Sequence, residues 1–203
     1  MRTLGPIAAG VAVAALWTAT ASGLPLRTPV GEDALEHFYT AVDSYVALHQ
    51  AVARSVPPLE ITPDGEKIHA AIEAMATAMR AARPWAAEGD IFDAEAAPVI
   101  RDIVRRTARE SECDVAGMLA AQGDEPLTLS VPRRPLVHDR FDWTAPSFMP
   151  GCLLELLPVL PDELHYQLVG RDLVLVDIDA DLVIDVLPDV LPPGEFWEGI
   201  VYV

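Results

Sequence analysis

The sequence predicts an α+β protein, mostly α: an antiparallel bundle of three to four helices, then a Pro-rich segment, then a C-terminal β-hairpin or three-stranded meander. Three observations predict it. Apolar residues recur at spacings of three and four through residues 35–56 and again through 68–82, the period of an amphipathic helix. Pro126, Pro132, Pro135, Pro146 and Pro150 then forbid any long helix in residues 125–150. Finally, two branched apolar runs, Leu173 to Ile178 and Leu182 to Leu187, flank the turn-prone Asp179-Ala180-Asp181.

The first 22 residues read as a targeting segment. Arg2 supplies a positive start, Ile7 to Leu16 is an apolar run of signal-peptide length, and Ala19-Thr20-Ala21 fits a small-residue cleavage site. The expected location is therefore the periplasm or the exterior, with no stable membrane span after cleavage. The competing reading is an uncleaved N-terminal membrane anchor; the run is short for a span and Pro25 follows closely. Residues 23–31 form a leader. Residues 32–203 are expected to form one domain: a helical bundle over 32–122, a Pro-rich loop and short helix over 123–161, and the hairpin and tail over 162–203.

Within the bundle, Glu32 and Asp33 favour a helix start. Leu35, Phe38, Val42, Tyr45, His49, Val52 and Val56 make its inner stripe, and Pro57-Pro58 ends it. Thr62 is the expected cap of a second helix, with Pro63 at its first position. Its stripe is Ile68, Ile72, Met75, Met79 and Ala82, and the short connection implies an antiparallel pair. Asp93 can cap a third helix with Val99, Ile100, Ile103, Val104 and Thr107 inward. Arg101, Arg105, Arg106 and Arg109 lie around its other side, where pairing with surface carboxylates is the plain expectation. A fourth helix is expected over Glu112 to Gln122, stopped by Gly123. Phe141, Trp143 and Phe148 imply that the Pro-rich segment is draped on the domain. A short apolar helix is expected over Cys152 to Leu160. Leu164 to Val169 reads as a further strand, turned by Gly170.

Charge and motifs exclude several function classes. The net charge is −17 and the pI about 4.4. Nucleic-acid binding needs clustered Lys and Arg and is excluded as an expectation. There is no Cys-x-x-Cys-His, no phosphate loop and no dinucleotide fingerprint, so no cofactor is expected. Cys113 and Cys152 are the only cysteines. Export permits a bridge between them, and closing a loop of about 40 residues would be worth about 3–4 kcal/mol in the chain-entropy account. Two separate buried thiols are the alternative.

The candidate site residues are few. His49 lies on the apolar stripe, where a core histidine with one hydrogen-bond partner is the plain reading. Asp33 with His37, and His69 with Glu73, are (i, i+4) pairs that could each offer two metal ligands, but an antiparallel hairpin puts them at opposite ends. Asp177, Asp179, Asp181 and Asp185 suggest calcium. Counted from Asp177, however, Leu182 and Pro188 stand where a calcium loop needs Gly and Glu. An acidic hairpin tip is the expectation instead, with weak cation binding there as the alternative. His138 and Asp139 are the residue types of an acid–base site, without any nucleophile motif around Ser130 or Ser147. Phe141, Trp143 and Phe148, with Phe196 and Trp197 in the tail, are the candidate contact residues for a protein or small ligand.

The hairpin also carries a resemblance. Tyr166, Val169-Gly170, Asp172-Leu173-Val174-Leu175-Val176-Asp177 and Val183-Ile184-Asp185-Val186-Leu187 resemble a small C-terminal module of exported bacterial proteins. Some of those belong to a periplasmic nickel- and cobalt-homeostasis family. The matching residues, about 25 of them, are structural hairpin positions, so the resemblance implies export and a hairpin and no ligand set. With Phe141-Asp142-Trp143 and Met149-Pro150, the whole chain resembles an uncharacterised family of exported bacterial proteins. The leading functional expectation is a non-enzymatic binding or interaction module. A metal-handling protein or a hydrolase-type enzyme using histidine and carboxylate groups is the alternative.

Overall fold

In a computed structural model, which describes residues 30–109, 113, 115, 133–144 and 147–191, helix α1 spans Val30–Ala53. Phe38, Val42, Tyr45, His49 and Val52 of the expected stripe are buried. Helix α2 spans Gly65–Ala82. Its cap is Asp64 rather than Thr62: the Asp64 carboxylate accepts from the N–H groups of Glu66 and Lys67, while the Thr62 hydroxyl accepts from Asp64 N–H. A carboxylate at this place also meets the positive end of the helix dipole. Arg83, just past α2, lies 5.1 Å above the Tyr45 ring. His49 and Ala53 meet Ala71 and Met75 across a small cavity. The two helices therefore run antiparallel.

Helix α3, Ala96–Thr107, follows a loop that buries Ile91 and Phe92. Asp93 does cap it, accepting from Glu95 and Ala96 N–H at 2.9 and 2.7 Å. The arginines of α3 do not serve mainly as carboxylate partners. Arg101 donates to the Pro188 carbonyl and Arg105 to those of Asp189 and Val190, which straps the chain after the sheet onto the helix. Arg106 keeps the expected kind of pair, with Asp102. Helix α4, Gly151–Leu154, is shorter than expected. Cys113 and Cys152 are joined as a disulfide, their Cα atoms 5.8 Å apart, which ties the chain beyond α3 to α4. The rest of the expected fourth helix, Gly123 and the tail with Phe196 and Trp197 lie outside the described residues.

The C-terminal element is a three-stranded antiparallel meander: β1 Leu164–Val169, β2 Asp172–Asp177, β3 Leu182–Leu187, in the order β1-β2-β3. Val169 pairs with Asp172 across a two-residue turn. Gly170 takes φ 59° at its first position, where a hairpin turn favours glycine. Alternation along each strand splits the side chains between two clusters. Leu164, Tyr166, Leu168, Leu173, Leu175, Leu182, Ile184 and Leu187 join the main core with the helices. Val169, Val174, Val176, Val183 and Val186 form a second cluster with Phe141. A bulge opposite Leu175 and Val176 inserts one residue into β3. Ile184 and Asp185 then both serve the helix side, and Asp185 accepts from Gly89, Ile91 and Phe92 N–H at 2.7–2.8 Å. Re-aiming one side chain in this way is what a bulge does.

The described part of the Pro-rich segment, residues 133–144 and 147–150, is draped on the sheet as expected. Its first part pairs with β3: His138 N–H donates to Val183 O, Val183 N–H to Asp139 O, and Phe141 N–H to Asp181 O, at 2.7–3.0 Å. Its last part pairs with β1 through mutual bonds between Phe148 and Leu168. Both sheet edges are thus partly covered, which blunts edge-to-edge association. Arg134 grips the buried Asp172 carboxylate with two bonds of 2.7 and 2.9 Å, a geometry that suits a planar guanidinium.

Candidate functional site

The carboxylates of the hairpin are the first departure from the sequence reading. Asp177 and Asp185 are fully buried and so do not belong to an acidic tip. Asp177 continues the helix-facing row Leu173, Leu175, so its side chain points at α1. There Tyr45 and His49, one helical turn apart, meet it. Tyr45 donates its hydroxyl to Asp177 Oδ2 at 2.7 Å, and His49 Nδ1 lies 2.7 Å from the same oxygen. Asp177 Oδ1 accepts from Asp179 and Ala180 N–H at 3.1 Å, shaping the turn. The other imidazole nitrogen, Nε2, lies 3.3 Å from Asp179 Oδ2. His49 is therefore a core histidine held between two carboxylates, not one with a single partner.

The electrostatics follow from that placement. Burial opposes charge on His49, but the hydrogen bond and charge of Asp177, with Asp179 and Glu163 behind, outweigh it and raise its pKa above the usual histidine value. Burial, then the Asp177 charge, push the Tyr45 phenol upward, so it stays a neutral donor. A group whose pKa is higher in the folded chain stabilises it fully below the unfolded value, about 6.5, and loses that contribution as pH rises through the folded value. Relative to His49→Gln, the wild-type urea midpoint is expected to fall as pH is raised from about 6.5 upward. Urea titrations of both proteins across this range measure it.

One wall of a cavity of about 60 Å³ is made by His49 and Asp179, facing Val56, Pro57, Pro58, Leu59 and Met75. Next to it, Pro57, Pro58, Glu60, Thr62, Lys67 and Ala70 line a wider depression of about 330 Å³. The arrangement can hold a proton between Asp177 and Asp179. The small cavity has the size for water, not for a substrate.

The other candidate place is a groove of about 360 Å³ beside β1. Met149, Leu154, Pro158, Val159, Leu160, Pro161 and Leu164 form most of its lining, with Asp162, His165 and Gln167 as polar groups. This follows from the local sequence. Pro158 and Pro161 stop α4 from continuing and hold residues 158–161 as an irregular arm, which Tyr166 and Leu164 fasten to β1 through the carbonyls of Pro158 and Pro161. Leu154, Leu156 and Val159 are left 53%, 54% and 81% exposed. Size and apolar lining with a few polar groups are those of a small-ligand or side-chain pocket.

The residues singled out from sequence fall elsewhere. Phe141 and Phe148 are buried in the two clusters, their rings spent on packing. Trp143 stacks edge-on against Phe141, is 45% exposed, and donates to Asp181. His138 has φ 72° and a buried Nε2 with no partner; burial, then the nearby Arg83 and Arg80, lower its pKa and keep it neutral. Asp139 accepts from Arg133 and Leu136 N–H and holds a turn. No hydrogen bond joins the His138 and Asp139 side chains. The proposed (i, i+4) metal pairs are not assembled either. His37 pairs with Glu95 at 2.6 Å rather than with the exposed Asp33; His69 is exposed, and Glu73 pairs with Arg140.

Among the described residues, no cluster of three or more His, Cys, Asp or Glu could hold a metal ion. No described helix is long and apolar enough to cross a membrane. Sequence reasoning missed both the groove and the Asp177–His49 pair. A usable signal existed for the pair, since both are polar residues at positions where the period demands an apolar one. In comparisons with known proteins, no family model, no curated protein and no solved structure matches this chain.

Proposed function

We propose that this protein is an exported, non-enzymatic binding module whose ligand site is the groove between the 154–161 arm and β1. The observation that carries the reading is the groove itself: apolar side chains left in solvent around a concave space, where a chain this rich in buried Leu and Val could have covered them. Export, to the periplasm or beyond, is supported by the apolar leader and its small-residue cleavage pattern, and by the disulfide, which suits an oxidising compartment.

Fluorescence titration with the neutral apolar dye Nile red tests the site. The full chain is expected to give a saturable rise in emission, and Val159→Asp, on an exposed residue, is expected to weaken binding by about tenfold or more, because the charge must be desolvated. No saturable rise, or an unchanged titration in the variant, sinks the reading.

A second reading is acid–base chemistry at His49, favoured by its pairing with a buried carboxylate beside a cavity. Against it, both imidazole nitrogens are already engaged, and among the described residues no Ser or Cys lines the cavity.

A further inference from the structure

We infer that the occupant of the groove is a peptide segment of another protein that carries apolar side chains next to Lys or Arg. This rests on the groove being a binding site and goes on to name the partner.

Charge and hydrogen-bond chemistry select that partner. From Met149 to Gln167 the chain carries Glu155, Asp162 and Glu163 and no Lys or Arg at all. Asp162 lies in the groove lining, and Glu155 stands exposed between the exposed Leu154 and Leu156. An apolar lining and the Asp162 carboxylate therefore share one groove, with Glu155 next in sequence to the lining residue Leu154. Three prolines, at 150, 158 and 161, remove N–H groups from the same stretch. Asp162 is the acid in the lining, beside His165 and Gln167, and a partner that meets it must bring donors.

Lysine and arginine side chains are donors without acceptors, and their aliphatic stems also cover apolar surface. An anionic membrane is repelled by the same carboxylates and by the net charge of −17. A small uncharged apolar molecule would use the lining but leave the carboxylates without a role.

The test uses fluorescence anisotropy with the full chain and two labelled probes: a short peptide alternating leucine with lysine, and its counterpart alternating leucine with glutamate. The lysine peptide is expected to bind, more weakly as salt rises, and the glutamate peptide not to bind. The double variant Glu155→Gln/Asp162→Asn is expected to weaken binding about threefold, the size of exposed ion pairs.

Val159→Asp separates the groove from plain attraction to an acidic protein. It adds a negative charge, so non-specific binding of the lysine peptide would tighten, whereas groove binding is expected to weaken about tenfold or more. Tightening, or equal binding of both peptides, overturns the inference. Nile red binding with no peptide binding overturns it while leaving the groove as a small-molecule site. Binding to phosphatidylglycerol vesicles in place of the lysine peptide also overturns it. Failure of dye and peptide together removes both readings.

Discussion

Asp177→Ala is expected to lower the unfolding free energy by about 3–5 kcal/mol, the range for removing one partner of a buried charged network. One carboxylate here serves four groups: the Tyr45 hydroxyl, His49, and the N–H groups of Asp179 and Ala180. Alanine leaves all four without their acceptor, in surroundings from which water is excluded at Asp177 and Ala180. It also leaves a buried histidine whose charge had been supported chiefly by that carboxylate. Asp177→Asn keeps one carbonyl acceptor for the turn and is expected to cost less. Asp179→Ala, which removes a carboxylate 44% exposed on its side chain, is expected to cost least of the three. Urea unfolding of the three variants orders them. A double-mutant cycle of Asp177→Asn with His49→Gln measures the pair itself, and additive effects would mean that the two side chains do not act together.

Removal of the Cys113–Cys152 bridge is the second large effect. The Cys113→Ser/Cys152→Ser double variant, or wild type in reductant, is expected to lose about 3–4 kcal/mol. The two cysteines are 39 residues apart in sequence, so the bridge restricts a long loop in the unfolded chain. Cys113 is buried among the main core residues, which restricts local relaxation once the bond is cut. The loss should appear in urea unfolding as a lower midpoint with a steeper dependence on denaturant, since the unbridged chain exposes more surface when unfolded. Equal midpoints for the two forms would place the stabilisation in packing around the sulfurs and not in the cross-link. The same pair reports on compartment: a protein that depends on this bridge would be weakened in a reducing cytosol.

The sequence by itself determined helices α1 to α3 in outline and the meander that follows them. The stripe from Phe38 to Val52, the turn chemistry of Thr62-Pro63-Asp64-Gly65 and of Gly170, and the two apolar runs after Asp172 act over one to four residues, within the reach of backbone period and turn preference, although the cap itself fell to Asp64 and not Thr62. The prolines also marked the draped segment, because a residue without an N–H cannot continue a helix wherever it lies. Only the tertiary structure decided what the polar residues do. An aspartate has the same local preferences whether it ends in water or under a helix. Asp177 is buried because the strand row Leu173-Leu175-Asp177 faces Tyr45 and His49, more than 120 positions away in sequence. Asp185 is buried because a one-residue bulge turns it towards the loop at Gly89–Phe92. For the same reason Phe141 and Phe148, candidate contact residues by sequence, pack into the core, while Leu154 and Val159, in a stretch read as a short apolar helix, line a groove. Burial depends on which distant surface arrives, and no short stretch of sequence carries that information.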